Sequence, residues 1–229
     1  RISKPWVLNI NSGITLVTTF TITAVAFLAV YILEFNNTLA AHSGFGKIVT
    51  ALFTAATPRT AGFNTVDTAL LSMPTLLLVL ALMWIGASPS STGGGIKTST
   101  FAIALLNILN LARGKSSIVA FKREIANISI RRSYAIIALS LIVIGVSTFI
   151  LSFSDKHLSL FDLLFETISA YSTVGLSLGI TDQLSVLGKV VIIFTMFIGR
   201  VSMLTVIIAI FKKIRQKNYN YPTEEITIN

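Results

Sequence analysis

The chain has 229 residues, of which 53% are hydrophobic and only 12% are charged, and its mean hydropathy is +0.81. Soluble domains carry roughly 25% charged residues, so this composition excludes an ordinary soluble domain and predicts an integral membrane protein. The sequence contains no cysteine, which excludes disulfides and thiolate metal sites.

The formal net charge is +9, but the basic residues are not spread evenly along the chain. Twelve of the 18 fall in three stretches, at residues 1–4, 113–132 and 212–217. Basic residues cluster at the cytoplasmic ends of membrane spans, so we interpret these stretches as markers of topology. The charge therefore does not indicate nucleic-acid binding, and we expect a multi-pass protein of the plasma membrane.

The first predicted span covers residues 12–33 and leads to a short outer loop, 34–46. Residues 45–57 are too short to cross a bilayer, which takes about 20 apolar residues, so we expect a re-entrant half-helix. Pro58 ends it, because proline cannot continue a helix interior. The C-terminal end of this half-helix directs a partial negative charge at the residues that follow, which suits a cation.

Two polar, glycine-bearing stretches resemble each other. Each runs from Leu-Phe through small and hydroxyl residues to Thr-x-Gly. At membrane depth such irregular backbone must line water or be buried in protein, and its carbonyls can replace the water shell of an ion. Glycine permits the positive φ angles that turn successive carbonyls inward. We therefore predict an ion filter in place of ordinary polar loops, with ion-binding residues Thr60, Ala61, Gly62, Phe63, Ser172, Thr173, Val174, Gly175 and Leu176.

Residues 70–112 would form a straight helix of about 60 Å, twice the hydrocarbon thickness. A stretch rich in glycine and serine, 86–97, interrupts them. The interrupted segment is either a hairpin of two spans or one broken crossing. Only the broken crossing leaves Arg113 and its basic neighbours in the cytoplasm. We therefore expect an irregular intramembrane segment beneath the filter.

This glycine-rich stretch is the candidate gate, because small residues allow motion and the stretch is expected under the filter. A phosphate-binding P-loop would need Gly-Lys-Ser/Thr after a strand, whereas Ile96 separates Gly95 from Lys97 here. A flexible helix break with no role beyond packing is the other alternative. The candidate gating residues are Gly86, Ser88, Pro89, Gly93, Gly94, Gly95, Lys97 and Arg200.

Arg200 lies in the middle of the last predicted span, 186–211, where a charge is costly and usually faces the protein interior or a water-filled cavity. We expect its cation below the filter, against loop carbonyls or the hydroxyls of Ser88, Ser90 and Ser91, as a barrier to permeating cations. The alternative is that it extends to an interface.

The second half of the chain repeats the pattern of the first. A basic connector, 113–131, leads to a span at 133–153, and residues 160–170 form a second half-helix before the filter stretch 171–177. Asp67 and Asp182 follow the two filters and either concentrate cations at an outer vestibule or are ordinary loop acids. Arg59 flanks a cation filter, so we expect it to turn away from the ion, and we hypothesise a pairing with Glu166 of the other repeat.

These motifs resemble the Trk/Ktr/HKT superfamily of potassium transporters, and most closely the membrane subunit of bacterial Ktr systems. The similarity lies in residues 57–64, 86–98 and 172–175 and in Gly199-Arg200. It implies an all-α membrane fold of repeats, each with a first membrane helix, a pore helix and a second membrane helix (M1–pore–M2), arranged pseudo-symmetrically around a pore. It also implies the following organisation: a third repeat at 1–112 with a gating loop at 86–98, a connector at 113–131, a fourth repeat at 132–217 and a cytoplasmic tail at 218–229.

The resemblance further implies K⁺ bound by the backbone of Gly62 and Gly175, no covalent cofactor, a homodimer and a cytoplasmic nucleotide-binding regulatory subunit of the RCK type. Family members have four repeats around one pore, and two are present here. Either an N-terminal half precedes Arg1, which a start other than Met favours, or two chains pair.

The predicted function is gated uptake of potassium across the bacterial plasma membrane, with dependence on Na⁺ left open. A proton- or sodium-coupled secondary transporter of another small cation would require buried carboxylates in the spans, and the predicted spans contain none. An intramembrane enzyme would require a catalytic set at membrane depth, and both histidines are predicted in outer loops. We therefore expect no enzymatic activity.

Overall fold

The computed structural model describes residues 9–201, apart from Ser90, Ser116 and Lys122. The predicted role of Ser90, the end of the last span, the basic stretch at 212–217 and the tail at 218–229 lie outside the described residues. Within them the chain is mostly helical, and its α-helices are α1 (Ile10–Glu34), α2 (Gly44–Ala56), α3 (Met73–Trp84), α4 (Thr98–Ala112), α5 (Asn127–Ser154), α6 (Leu160–Tyr171) and α7 (Val186–Val201).

A small hairpin joins the two halves of the chain. Its strands β1 (Val119–Ala120) and β2 (Arg123–Glu124) pair antiparallel, and Phe121 at the turn has a positive φ of 49°. The hairpin covers part of a cluster that also contains Ile14 of α1 and Ala102 of α4. The basic connector is therefore packed against the first half of the chain.

Two of the helices, α1 and α5, are long and apolar enough to cross a membrane, and α2, α3 and α4 are shorter apolar helices. Large apolar side chains remain exposed along the two long helices, including Phe20, Ile32, Ile142 and Phe149. Soluble monomers rarely expose so much contiguous apolar surface. The outer faces of α1 and α5 are therefore suited to lipid.

The chain leaves helical geometry between α3 and α4 and then continues in the same direction. Leu82 of α3 packs against Ala26 of α1, whereas Ala102 of α4 packs against Ile14, three turns nearer the start of α1. A parallel bridge joins Ile85 to Ile96, so the intervening loop leaves and returns at neighbouring positions. Helices α3 and α4 therefore follow one another along α1, as in the broken-crossing layout.

The core between the two halves lies where α3 packs on α6. It is formed by buried residues of both helices and of the segment after α6, namely Leu71, Leu76, Val79, Leu80, Met83, Phe165, Val174 and Leu176. Between membrane helices such contacts stabilise mainly through close packing, since lipid tails are as apolar as leucine. Val174 and Leu176 thus anchor the second predicted filter segment in a packed core.

In each half a buried carboxylate at the end of the first helix bonds to the residue before the helix that follows the filter segment, α3 in the first half and α7 in the second. Both oxygens of Glu34, at the end of α1, accept hydrogen bonds, including 2.9 Å from the Ser72 N–H and 2.6 Å from the Ser72 hydroxyl before α3. Asp155, after α5, accepts 2.6 Å from the Ser185 N–H and 3.1 Å from its hydroxyl before α7. Both carboxylates are 0% exposed, so each pairing excludes water.

Candidate functional site

The two predicted filter segments lie side by side. A β-carbon on Gly62 would overlap the carbonyl oxygen of Val174 and would lie 3.6 Å from the α-carbon of Gly175. Only glycine permits this approach of two backbones, and Gly62 also has a φ of 71° that other residues rarely adopt. The two Thr-x-Gly stretches, 113 residues apart in sequence, therefore form one local structure.

In the first segment the backbone N–H groups point back toward α2. Those of Ala61 and Gly62 both donate to the Thr57 carbonyl, at 3.1 and 3.2 Å. The Thr57 hydroxyl donates 2.6 Å to the carbonyl of Phe63, which occupies one of the oxygens that the sequence assigned to the ion. Thr57 therefore holds both ends of this segment.

The second segment is likewise held by hydrogen bonds from its N–H groups to residues at the end of α6. The N–H groups of Thr173 and Val174 donate to the carbonyls of Ala170 and Ser169, at 3.1 and 3.0 Å. The N–H of Gly175 donates 3.2 Å to the hydroxyl of Ser169. Every N–H in this Thr-x-Gly stretch is therefore satisfied by the preceding helix.

The carbonyls of the two Thr-x-Gly stretches are not used in hydrogen bonds within the described part of the chain, although the Val174 carbonyl oxygen abuts Gly62. No described residue donates a hydrogen bond to the carbonyl oxygens of residues 60–62 or 173–175. Positive φ angles recur at matching positions, at Thr60 and Gly62 and at Thr173 and Gly175. Free carbonyls at the C-terminal ends of α2 and α6 make a site of negative potential, which suits a dehydrated cation.

The glycine-rich loop between α3 and α4 packs directly against both segments. The N–H of Gly94 donates 2.7 Å to the hydroxyl of Thr173. A β-carbon on Gly94 would lie 2.8 Å from the Tyr171 carbonyl oxygen, and one on Gly93 would lie 2.6 Å from the Thr60 hydroxyl oxygen. The loop glycines are therefore required by close contact with the filter segments.

Two positively charged side chains, those of Lys97 and Arg200, bond to the same loop. The ammonium group of Lys97 donates to the carbonyls of Gly93 and Ser91, and the guanidinium group of Arg200 donates to the carbonyl of Thr92. Helix α7 can bring Arg200 this close because Gly199 abuts the backbone of Tyr171 and leaves no room for a side chain. Among the described residues, the hydrogen-bond partner of Arg200 is thus a loop carbonyl, not the hydroxyl of Ser88 or Ser91.

Among the other predicted gating residues, Gly95 also faces the filter, since a β-carbon on it would lie 3.1 Å from the Ser172 hydroxyl oxygen, and the rest shape the loop itself. Gly86 faces the carbonyl of Gly94, where a β-carbon would overlap it. Pro89 lies in a turn, and the carbonyl of Ser88 accepts hydrogen bonds from the N–H and the hydroxyl of Ser91. These contacts keep the loop compact beneath the two segments.

The hypothesised pairing of Arg59 with Glu166 is wrong. The Arg59 guanidinium donates 2.7 Å to the Thr23 hydroxyl and 3.2 Å to the Thr19 hydroxyl, both on α1. Glu166 instead accepts a hydrogen bond of 2.6 Å from the Thr181 hydroxyl. Two hydroxyls in the middle of the apolar helix α1 are the partners of Arg59, and nothing in their local sequence marks them as such.

The two loop acids occupy ordinary loop positions. Asp67 accepts 3.0 Å from the N–H of Ala69 and begins a short 3₁₀ turn, which is a local capping role. Asp182 lies exposed in the corresponding 3₁₀ turn of the second half. Sequence analysis missed Thr57 and Ser169, although both are hydroxyl residues placed just before a Thr-x-Gly stretch.

Comparisons with known proteins identify the family of this chain. Residues 4–221 match the TrkH family, described as a cation transport protein. The chain is 41% identical over 215 residues to the Ktr system potassium uptake protein D of Bacillus subtilis (strain 168), covering 94% of this chain and 48% of that protein. It is 40% identical over 200 residues to the Ktr system potassium uptake protein B of Vibrio alginolyticus, covering 86% of this chain and 44% of that protein.

A solved structure shares the fold. The crystal structure of the potassium transporter TrkH from Vibrio parahaemolyticus superposes with a TM-score of 0.72 at 19% identity, covering 86% of this chain and 44% of that chain. The chain thus spans about half the length of the relatives it matches. The family resemblance predicted from the motifs is confirmed, and so is the expectation of a transport protein rather than an enzyme. The chain belongs to the TrkH family of cation transport proteins.

Proposed function

We propose that this chain supplies half of a potassium pathway across the plasma membrane. The observation that carries the proposal is the pair of adjacent Thr-x-Gly stretches, which are held through N–H groups to the ends of α2 and α6 and whose carbonyls accept no hydrogen bond from the described residues. Carbonyl dipoles of this kind can replace the hydration shell of K⁺. The names of the Ktr relatives, which are potassium uptake proteins, support K⁺ as the ion.

Two further filter segments complete the site in this proposal. The space beside Gly62 is filled by the second segment, whereas nothing lies within 4 Å of the corresponding position on Gly175. Gly175 lines a cavity of about 600 Å³ that extends from Thr173 to Arg200. We expect this open side to receive another M1–pore–M2 unit, either from the same protein or from a second chain.

The loop between α3 and α4 acts as the gate in this proposal, and Arg200 is its latch. The contacts of Gly94 with Thr173 and of Arg200 with Thr92 support this role, because they fix the loop directly under the filter. A homodimer and a nucleotide-binding regulatory subunit remain predictions from the family resemblance. Dependence of transport on Na⁺ is left open.

The function can be tested with the full-length protein in proteoliposomes, by measuring K⁺ uptake in competition with Na⁺. We expect Gly175→Ser to weaken the preference for K⁺ over Na⁺, because a side chain at φ 92° strains the filter backbone. Gly145→Ser on α5 is the matched control, since nothing lies within 4 Å of its β-carbon position and its φ is not positive. An unaltered preference in Gly175→Ser would contradict the filter assignment.

A further inference from the structure

Glu166 is a buried carboxylate of α6 that the proposed ion pathway does not use directly. Its side chain is 7% exposed, and its Oε1 accepts 2.6 Å from the hydroxyl of Thr181. In this contact the hydroxyl of Thr181 is the donor and the carboxyl oxygen of Glu166 is the acceptor. This single contact fixes the direction of a longer chain of hydrogen bonds.

The hydroxyl of Thr181 also lies 3.0 Å from the hydroxyl of Ser177. Since the only hydroxyl proton of Thr181 goes to Glu166, Ser177 is the donor in this second contact. The oxygen of Ser177 in turn accepts 3.0 Å from the N–H of Gly179. The chain therefore runs in one direction, from Gly179 through Ser177 and Thr181 to Glu166.

This relay adds a hydrogen-bonded connection to α6 on the C-terminal side of the second filter segment, beyond the packing of Leu176 in the core. Toward α6, the segment is tied to Ser169 through the N–H groups of Val174 and Gly175. Ser177 follows Gly175 by two residues and is tied through Thr181 to Glu166. In the first segment the equivalent task needs no relay, because Thr57 bonds directly to Phe63.

The two carboxyl oxygens of Glu166 differ in their hydrogen bonding. Among the described residues, no donor reaches Oε2, which is buried at the edge of the 600 Å³ cavity. Both oxygens of Glu34, by contrast, accept hydrogen bonds from neighbouring residues. Glu166 therefore has a free acceptor beside the filter as well as the bond to Thr181.

We propose that Glu166 is a positioning residue for ion selectivity, which sets the orientation of the second filter segment through Thr181 and Ser177. This inference rests on the proposed function, and it names the residue that keeps the Gly175 carbonyl in place. The acceptor atom of Glu166, not its charge, does this work.

The test compares four variants of the full-length protein in proteoliposomes, with K⁺ over Na⁺ preference as the readout. Glu166→Ala and Thr181→Val each remove the same bond, so each should lower the preference about two- to tenfold, and the double variant should be no worse. Glu166→Gln keeps a carbonyl oxygen for Thr181 and should retain most of the preference. Total uptake per incorporated protein and the unfolding temperature are measured alongside.

Thr167→Val is the matched control, because Thr167 lies beside Glu166 on α6, is 0% exposed, and its hydroxyl bonds, among the described residues, to the Leu163 carbonyl of its own helix. It should leave the preference unchanged. A wild-type preference in Thr181→Val would overturn the inference, even if Glu166→Ala failed to fold. An equal loss in Glu166→Gln and Glu166→Ala would also overturn it, since charge would then be the cause. Absence of any K⁺ preference in the unmodified protein would overturn the proposed function itself.

Discussion

The N–H of Gly94 donates a hydrogen bond of 2.7 Å to the hydroxyl of Thr173. Gly94 belongs to the loop of the first half of the chain, whereas Thr173 begins the Thr-x-Gly stretch of the second half. The loop that interrupts one half is therefore tied to the filter segment of the other. Any displacement of this loop changes the contacts of the filter, which couples the two proposed functions of gating and selection.

Deleting residues 89–95 should raise K⁺ flux. The deletion removes the segment that lies under both Thr-x-Gly stretches, while the Ile85–Ile96 bridge shows that the flanking chain ends are already close. Flux would be measured in proteoliposomes at equal incorporation. Gly44→Ala is a control for handling and expression, because nothing lies within 4 Å of its β-carbon position. Unchanged flux in the deletion would argue against a gate.

Replacing Arg200 with alanine should also raise flux. The substitution removes the bond from Arg200 to the Thr92 carbonyl and leaves Lys97 as the remaining cation on the loop. A hydrogen bond to a charged group contributes about 1.5–3 kcal/mol. Its loss should therefore shift the equilibrium from the loop bonded beside the filter toward the released loop by roughly tenfold or more. Arg200→Lys keeps the charge, so its K⁺ flux should lie between that of the unmodified protein and that of Arg200→Ala. Lower flux in Arg200→Ala would show that the arginine assists conduction.

Gly62→Ala should destabilise the protein and weaken ion preference, because its β-carbon overlaps the Val174 carbonyl. Among the described residues, the β-carbon of Gly175→Ala would contact no neighbour. Its destabilisation should therefore come only from the positive φ angle, which costs about 1–3 kcal/mol. If another repeat fills the cavity in the full-length protein, Gly62→Ala and Gly175→Ala should lower the unfolding temperature equally. Unfolding temperatures measure this directly, and a much milder Gly175→Ala would show that the side beside Gly175 stays open.

Acid should weaken the contact between Asp155 and Ser185. Burial by itself would raise the pKa of Asp155, but hydrogen bonds from Ser185 and Ser154, with a smaller contribution from His157, lower it below the usual 3.8. Its stabilising effect is therefore complete above the unfolded-state pKa and is lost as the pH falls through the lower folded-state pKa. The unfolding temperature between pH 7 and pH 3 reports this loss.

Asp155→Asn is the control for that titration. The amide keeps an acceptor for the Ser185 N–H but has no proton to gain in this range. We expect a lower unfolding temperature at pH 7 and a flatter profile below pH 4. An identical acid slope in the variant would assign the slope to other groups.

Much of the site could be predicted because its signals are local. Hydropathy located most helices within a few residues, as in the predicted half-helix 160–170 and the observed α6, Leu160–Tyr171, whereas α5 begins at Asn127, six residues before the predicted span 133–153. Pro58 and the two Thr-x-Gly stretches mark where helices end and positive φ begins, and these depend on the chemistry of single residues. The basic stretch at 113–132 was enough to choose the broken crossing over the hairpin.

The partners of the polar side chains were decided only by tertiary structure. Arg59 bonds to hydroxyls on α1, Arg200 reaches a carbonyl 108 residues away, and Thr173 meets Gly94 at a separation of 79. A hydroxyl or a carbonyl looks the same in sequence whether or not a donor lies across from it. Composition and local pattern thus determined that this chain forms membrane helices with three glycine-bearing breaks, the two Thr-x-Gly stretches and the loop 86–97. The packing of α3 on α6 decided that the breaks meet, because helix contacts bring distant backbone groups within hydrogen-bond range.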